Sequence, residues 1–468
     1  MPLPFRQSRY IDPVLISAYL FAGFIILISG QMAGFGLNAP SAADISMAFG
    51  KTGYRYINSV SLSGYFILFM GMAYYMVPKL TGKNMFLGSG FGWALLIVTL
   101  LCSLSGVMPV LTNERNLMGF GSSPSFVNEL FLVILFLFNL VIIGSVLLRE
   151  ERKLHISLSF LMLSTLWLFL NWIILHWILP WFVKKDLLFQ SYSAQWYFTA
   201  MLFGFTSVFC LIYFLLPAAS FRPLFNARLV NFSFWTLAVF LPAAGLIHYS
   251  ELSATENFNR TGLIFTVLLS FPLIAVSYSF FSTLQSSWKK VVELASLRYL
   301  TVGFILFITL AFIQLFIAGW GVYPTKYIAS FGVFNIAPMG CLLVFIIAGY
   351  LYVFPRICAH EIYSRKLLSF QSWILLVSLF SMPVLDSLIS FTGMSLLRLE
   401  ISPEKIFNFL NPFIRMHTIS LWLGICGVAL FLFQIVMTLR KGKPTQTIQP
   451  EFKELQFRGR EVETAEII

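Results

Sequence analysis

Twelve long apolar segments constrain the fold of this chain more than any other feature of its sequence. A helix that crosses the hydrocarbon core of a bilayer needs about 20 predominantly apolar residues. An outer-membrane barrel strand instead alternates apolar and polar residues over about 10 positions, whereas these runs are continuous. The sequence therefore predicts an all-α, polytopic membrane protein with about twelve transmembrane helices. The segments cover residues 13–35, 54–78, 86–110, 124–148, 155–180, 192–217, 230–249, 261–284, 297–320, 327–355, 367–393 and 409–439.

The low content of charged residues excludes the soluble classes of protein. Charged residues make up 11% of the 468 residues, against about 25% in a typical soluble domain, and so few cannot cover a surface that faces water. Soluble enzymes and nucleic-acid-binding proteins are excluded on this ground, although the net charge is +12. Five cysteines are scattered without a CxxC pair, which favours small packing residues over a metal site.

The basic residues predict the orientation of the chain in the membrane. If successive loops alternate between the two sides, the side that holds the N-terminus carries 21 of the 31 Lys and Arg residues. The positive-inside rule then places both termini in the cytoplasm, and we expect a multi-pass protein of the cell inner membrane in contact with membrane lipid. Residues 1–440 form one twelve-helix transmembrane domain. The polar residues 441–468 form a cytoplasmic tail, which we expect to be mobile.

Several short motifs follow one another in a recognisable order along the chain. In order and spacing they resemble helices two, six and seven of subunit I of the haem-copper oxidases, nearest the branch of the cbb-type cytochrome c oxidases and nitric oxide reductases. The resemblance covers nearly the full chain, and it implies the twelve-helix bundle of that family. The motifs are RYIN at 55–58 and AYYMVP at 73–78, WYFTA at 196–200, and HYSEL at 248–252.

The resemblance also implies a set of metal ligands that this chain lacks. The family holds a low-spin haem between histidines of helices two and ten, a high-spin haem on another histidine of helix ten, and copper on histidines of helices six and seven. Imidazole suits both metals because it is a neutral nitrogen donor. Here Tyr56 stands at the position in helix two and Thr199 at that in helix six, while segment 327–355 has no histidine. Only His248 is left as a residual ligand, so we expect neither haem nor copper to bind.

Two further groups of residues are candidates for a site. His176, His248 and His417 lie toward the same side of the membrane in the predicted topology; a shared ligand role and a simple interfacial role both stay open. Glu129 and Asp386 are the acidic residues inside apolar segments. A charge at a helix centre costs about 2.5–3.5 kcal/mol and is often functional, so these two are candidates for a proton or ion path. Interfacial solvation or a polar partner is the competing explanation.

The sequence thus predicts a non-catalytic, cofactor-less homologue of subunit I. Its role would be that of an accessory or structural subunit of a respiratory or related membrane complex, with other subunits as its partners and no catalytic residue of its own. One alternative is a divergent but active terminal oxidase or nitric oxide reductase, which would contain haem b and copper. Another is a transporter or channel, a class that commonly shows internal repeats; we find no convincing repeat here.

The predicted orientation can be tested on the tail. Because the basic residues concentrate on the side of the N-terminus, residues 441–468 should lie in the cytoplasm. Protease added to sealed spheroplasts should leave an epitope at the C-terminus intact, and the same protease should remove it after the cells are lysed. Cleavage in the sealed spheroplasts would overturn the orientation.

Overall fold

The structure of the protein is a computed structural model. It describes ten stretches of the chain. The stretches are 11–37, 53–111, 125–151, 153–178, 188–246, 256–285, 287–319, 340–399, 401–444 and 466–467.

Fourteen α-helices account for most of the described residues, and each predicted apolar segment overlaps at least one of them. Their bounds are α1 Pro13–Leu37, α2 Gly53–Thr81, α3 Gly88–Leu111, α4 Ser125–Leu147, α5 Ile156–Ile173, α6 Leu188–Ser220, α7 Ala227–Gly245, α8 Glu256–Leu268, α9 Ser270–Leu284, α10 Trp288–Glu293, α11 Ala295–Gly319, α12 Cys341–Cys358, α13 Arg365–Arg398 and α14 Pro403–Lys441.

The all-α polytopic membrane fold predicted from the sequence is confirmed. Eight stretches of the described helices are long and apolar enough to cross a bilayer. The count of twelve spans stays a prediction. One difference concerns segment 261–284, which the structure divides into α8 and α9 at Leu269. Pro272 lies in the first turn of α9, where its missing N–H is best tolerated, so the proline accounts for a new helix start at this point.

Helices α6 and α12 lie at the centre of the bundle. Every residue of the stretch Met201–Ser220 in α6 is buried, as is 89% of Cys341–Cys358 in α12, whereas only 33% of Gly88–Ser105 in α3 is buried. Helix α2 is buried from Leu62 to Val77 and packs on both α6 and α12. The remaining helices surround these three, with α1 against α2, α5 against α6, α11 against α12 and α13 against α14.

Glycine allows α2 and α12 to approach each other closely. A Cβ atom at Gly71 of α2 would overlap the hydroxyl oxygen of Tyr350 and lie 2.6 Å from the Cβ atom of Tyr19. A Cβ atom at Gly349 of α12 would lie 2.6 Å from the Cε atom of Met72. Small residues at such crossings bring helices into van der Waals contact, which drives helix association where water is absent.

Two short strands connect the tail with the loop before α5. The strand β1, Leu154–His155, pairs antiparallel with β2, Glu466–Ile467. Where the tail begins, the Glu361 N–H donates a hydrogen bond of 2.8 Å to the carbonyl oxygen of Lys443. The described ends of the tail therefore contact the helix bundle. The mobility predicted for 441–468 stays a prediction, and residues 445–465 lie outside the described part of the chain.

The substitution Gly71→Ala tests the close approach of α2 and α12. The added methyl group has no space beside Tyr350 and Tyr19, and overpacking of this kind costs about 1–3 kcal/mol. We expect a lower melting temperature for the purified protein in detergent, measured by size-exclusion chromatography after heating. The matched control is Gly90→Ala in α3, where a Cβ atom would meet nothing within 4 Å. Equal melting temperatures for the two variants would contradict the packing described here.

Candidate functional site

The three helices at the centre of the bundle, α2, α6 and α12, are packed by interlocking aromatic rings. We call the contact surface of α2, α6 and α12 the central interface. Phe69 of α2 and Phe203 of α6 meet edge to face, with ring centroids 5.6 Å apart. Phe214 of α6 contacts Tyr75 of α2 at 6.2 Å and Tyr352 of α12 at 6.1 Å. Such edge-on pairs are the favoured geometry of aromatic rings, so side chains of all three helices fill this part of the bundle.

A hydrogen bond joins α12 directly to α2 within the central interface. The Tyr350 hydroxyl donates to the carbonyl oxygen of Leu68 over 3.0 Å. The two helices are therefore in direct polar contact, and the Tyr350 side chain is fully buried between them. A buried hydroxyl needs such a partner, because leaving it without one in an apolar environment costs about 1–3 kcal/mol.

Thr199 lies on α6 beside a closed contact with α7. Its side chain is 1% exposed. The ring of its neighbour Phe198 lies so close to Gly245, the last residue of α7, that a Cβ atom there would overlap the ring. Leu241 of α7 is also buried. A threonine and a leucine supply no nitrogen donor, and these residues do not fit a copper site of the family's kind.

The side chains of most other candidate ligand residues lie outside the described residues. Tyr56 is in the first turn of α2, and its side chain is outside the described part. His248 follows the end of α7 by three residues and is itself outside it. His176 falls in a five-residue π-helical turn, Ile174–Ile178, with its side chain undescribed. His417 lies on α14 and is partly exposed.

Within the described stretches, no three residues of the types His, Cys, Asp and Glu lie together as a metal site would require. None of the five histidines of the chain falls within α2, α6, α7, α11 or α12. These helices therefore supply no histidine that could act as a ligand at the predicted positions.

The acidic candidates are on two different helices. The Glu129 side chain is exposed near the start of α4. Asp386 lies within α13, and its side chain is outside the described part. Their role in a proton or ion path stays a prediction.

Polar side chains of α4, α5 and α6 form a buried cluster that was not predicted from the sequence. The Asn139 side-chain amide of α4 donates to the carbonyl oxygen of Thr165 in α5 over 3.1 Å, and the Thr165 hydroxyl donates back to the Asn139 side-chain oxygen over 2.9 Å. One residue earlier in α5, the hydroxyls of Ser164 and Ser207 lie 2.6 Å apart and join α5 to α6. The run of hydroxyls on α5 was visible in the sequence, whereas the partners on α4 and α6 were not.

His155 has a structural role at the start of α5. Its side-chain Nδ1 accepts a hydrogen bond of 3.3 Å from the Ser157 N–H and so caps the helix. The residue is 3% exposed, and burial lowers its pKa from 6.5 to about 4. The imidazole is therefore neutral at physiological pH, in the form that can accept the capping hydrogen bond.

The sequence model of the family described as "Cytochrome C and Quinol oxidase polypeptide I" matches residues 59–399. A protein of Agrobacterium tumefaciens (strain T37) named "Cytochrome c oxidase subunit 1 homolog" is 22% identical over 311 residues. The match covers 62% of this chain and 56% of that relative, so this chain spans little more than half the length of the curated relative it matches.

A solved structure adds independent evidence on the fold. It is described as "Cryo-EM structure of a heme-copper terminal oxidase dimer provides insights into its catalytic mechanism". The superposition has a TM-score of 0.66 and covers 94% of this chain and 85% of that chain. At 14% sequence identity the similarity concerns the fold alone.

The capping role of His155 predicts how stability depends on pH. Between pH 6.5 and about 4 the unfolded chain binds a proton that the folded chain does not, so the free energy of unfolding falls as the pH drops, by at most about 1.4 kcal/mol per pH unit. We expect the melting temperature to fall more steeply over this range in the native protein than in the variant His155→Asn, because asparagine caps helices without titrating. Parallel pH profiles would contradict a neutral, buried His155.

Proposed function

Because the chain belongs to the cytochrome c and quinol oxidase polypeptide I family, we propose that it is a non-catalytic, cofactor-less form of that membrane scaffold. It would serve as an accessory or structural subunit of a respiratory or related membrane complex. One observation carries the proposal: the helices that bear the metal ligands in the family, α2, α6, α7 and α12, contain no histidine.

The chemistry of metal binding supports this proposal. Iron in haem needs an axial donor, which the family supplies as imidazole, and copper needs a cluster of imidazoles. Tyr56 and Thr199 replace histidine at the positions in helices two and six. A tyrosine can ligate haem iron in other proteins, but the counterpart ligands of helix ten are also missing from segment 327–355. The losses affect both haems and the copper together, which is the result expected when selection for redox chemistry has ended.

The packing of the described residues supports the proposal in a second way. An empty cavity costs about 24 cal/mol for each Å³ that surrounding atoms fail to fill, so a scaffold without its haems must close the space they occupied. The Phe198 ring against Gly245 closes the α6–α7 contact beside Thr199. The aromatic rings of the central interface fill the space between α2, α6 and α12.

The same proposal includes a location and partners. We place both termini in the cytoplasm, the chain in the cell inner membrane, and its origin nearest the cbb-type branch. Subunit I proteins of this family sit in membrane complexes, and we propose other subunits of such a complex as partners. Glu129 and Asp386 are the residues we propose to examine first for residual proton or ion conduction.

Spectroscopy of the purified protein tests the cofactor-less state. The full chain should be produced in cells supplied with a haem precursor and copper, so that neither cofactor is limiting. We expect the reduced protein to show no Soret band and metal analysis of the same sample to find no stoichiometric iron or copper, because the imidazole ligands are missing. About one haem per chain that survives detergent washing would overturn the proposal in favour of an active oxidase.

The accessory role is tested separately by purification from the native membrane. Stable co-purification of respiratory subunits supports it. A protein that purifies alone and moves an ion or solute across vesicle membranes would instead be a transporter or channel.

A further inference from the structure

A groove of about 500 Å³ runs along the outer face of α9. Ile274 and Tyr278 on this face are 55% and 56% exposed, and Phe281 is 38% exposed. Phe312 of α11 also lines the groove, as does Trp288 of α10, three residues after Gln285 at the end of the α9 lining. The Phe280 ring stacks on Phe304 of α11 with centroids 3.8 Å apart, so the two helices beside the groove are held together by a fully packed contact.

The groove extends through only part of the membrane. Its lining on α9 and just beyond runs from Ile274 to Gln285, which is about 16 Å at a rise of 1.5 Å per residue. The hydrocarbon core of a bilayer is about 30 Å thick, so the groove corresponds to the depth of one leaflet. A single lipid occupies one leaflet, whereas a transmembrane helix of a partner would contact the protein through the whole thickness.

Two segments that carry basic residues meet near the end of the groove at Trp288. Lys289 follows this tryptophan, and its side chain is exposed, as is that of Arg222 in the loop after α6. Lys290 donates a hydrogen bond of 2.8 Å to the Ser220 carbonyl oxygen at the end of α6. The Lys290 ammonium also lies 5.0 Å from the centre of the Phe221 ring, the residue directly before Arg222. Burial and the charge of Arg222 lower the pKa of Lys290, whereas Glu293 raises it.

The loop that carries Arg222 is fixed beside the groove. The Phe225 N–H donates a hydrogen bond of 3.0 Å to the Thr283 hydroxyl, and the Ser279 hydroxyl donates one of 2.9 Å to the Phe225 carbonyl oxygen. The Phe225 ring also meets the ring of Tyr278, a lining residue, at 5.5 Å. The cationic loop and the apolar groove thus form one continuous surface.

We propose that this groove binds an anionic phospholipid, with an acyl chain between Ile274 and Gln285 and the phosphate between Arg222 and Lys289. Trp288 lies at the level of the headgroup, where its amphipathic ring is favoured. The apolar groove excludes a free phosphate as sole ligand, and the exposed cations select a lipid that carries negative charge. The leaflet is the one on the side of the basic loops, which in the predicted orientation faces the cytoplasm.

Native mass spectrometry of the delipidated full-length protein tests this site. Phosphatidylglycerol and phosphatidylcholine with the same acyl chains are titrated separately, and we expect phosphatidylglycerol to bind more tightly. Each cation near a membrane surface contributes about 1 kcal/mol to the binding of an anionic lipid. The double variant Arg222→Gln/Lys289→Gln should therefore bind phosphatidylglycerol at least tenfold more weakly. Its binding of phosphatidylcholine should be unchanged. The control Lys366→Gln, an exposed cation at the start of α13, should bind both lipids like the native protein.

A second variant tests the apolar part of the site. Ser282→Phe places a ring in the groove and should weaken the binding of both lipids. The elution profile and melting temperature of each variant report whether it is folded. If Ser282→Phe fails to fold, the double variant still tests the proposal, because Arg222 and Lys289 are exposed and their substitution leaves the packing of the helices unchanged. Equal binding of the two lipids, unchanged in the double variant, would overturn the proposal. So would a photo-crosslinking residue at position 278 that captures a partner protein from native membranes in place of lipid.

Discussion

The close contact between α2 and α12 lies at the centre of the bundle, where association cannot depend on the exclusion of water. Gly71 lets the two helices approach, and the Tyr350 hydroxyl bonds to the Leu68 carbonyl oxygen across the gap. Lipid tails are as apolar as the side chains of the helices, so association in a bilayer depends on packing and hydrogen bonding rather than on the hydrophobic effect. Helix α6 packs against this pair, and the peripheral helices arrange around the three.

The sequence predicted the helices well because a bilayer requires long, continuous apolar segments, and such segments can be read without an alignment. It did not predict the division at Leu269, since a proline in a first turn and a proline inside a helix look alike in a single sequence. The polar contacts were also beyond its reach. Asn139 and Thr165 are 26 positions apart, and only the packed bundle determines that they meet.

For the candidate site, sequence reasoning identified Thr199 and the histidine-free segments, and the family match over 59–399 confirms the resemblance on which that reasoning depended. It did not recognise the role of His155. An N-cap is recognised by Ser, Thr, Asp or Asn, and a buried histidine in that role depends on the packing of α5. The groove on α9 was equally hidden, because exposed apolar residues are expected at every lipid-facing position of a membrane protein.

The contact of Phe198 with Gly245 has a consequence for the evolutionary reversibility of this scaffold. Thr199 is buried next to a ring that already touches the α7 backbone. A single mutation to histidine at this position would bring a larger side chain into space that its neighbours occupy, before any metal could compensate for the strain. Under the proposed function, histidine could therefore return to this position only together with a second substitution that makes room for it, so a single mutation would not restore a ligand here.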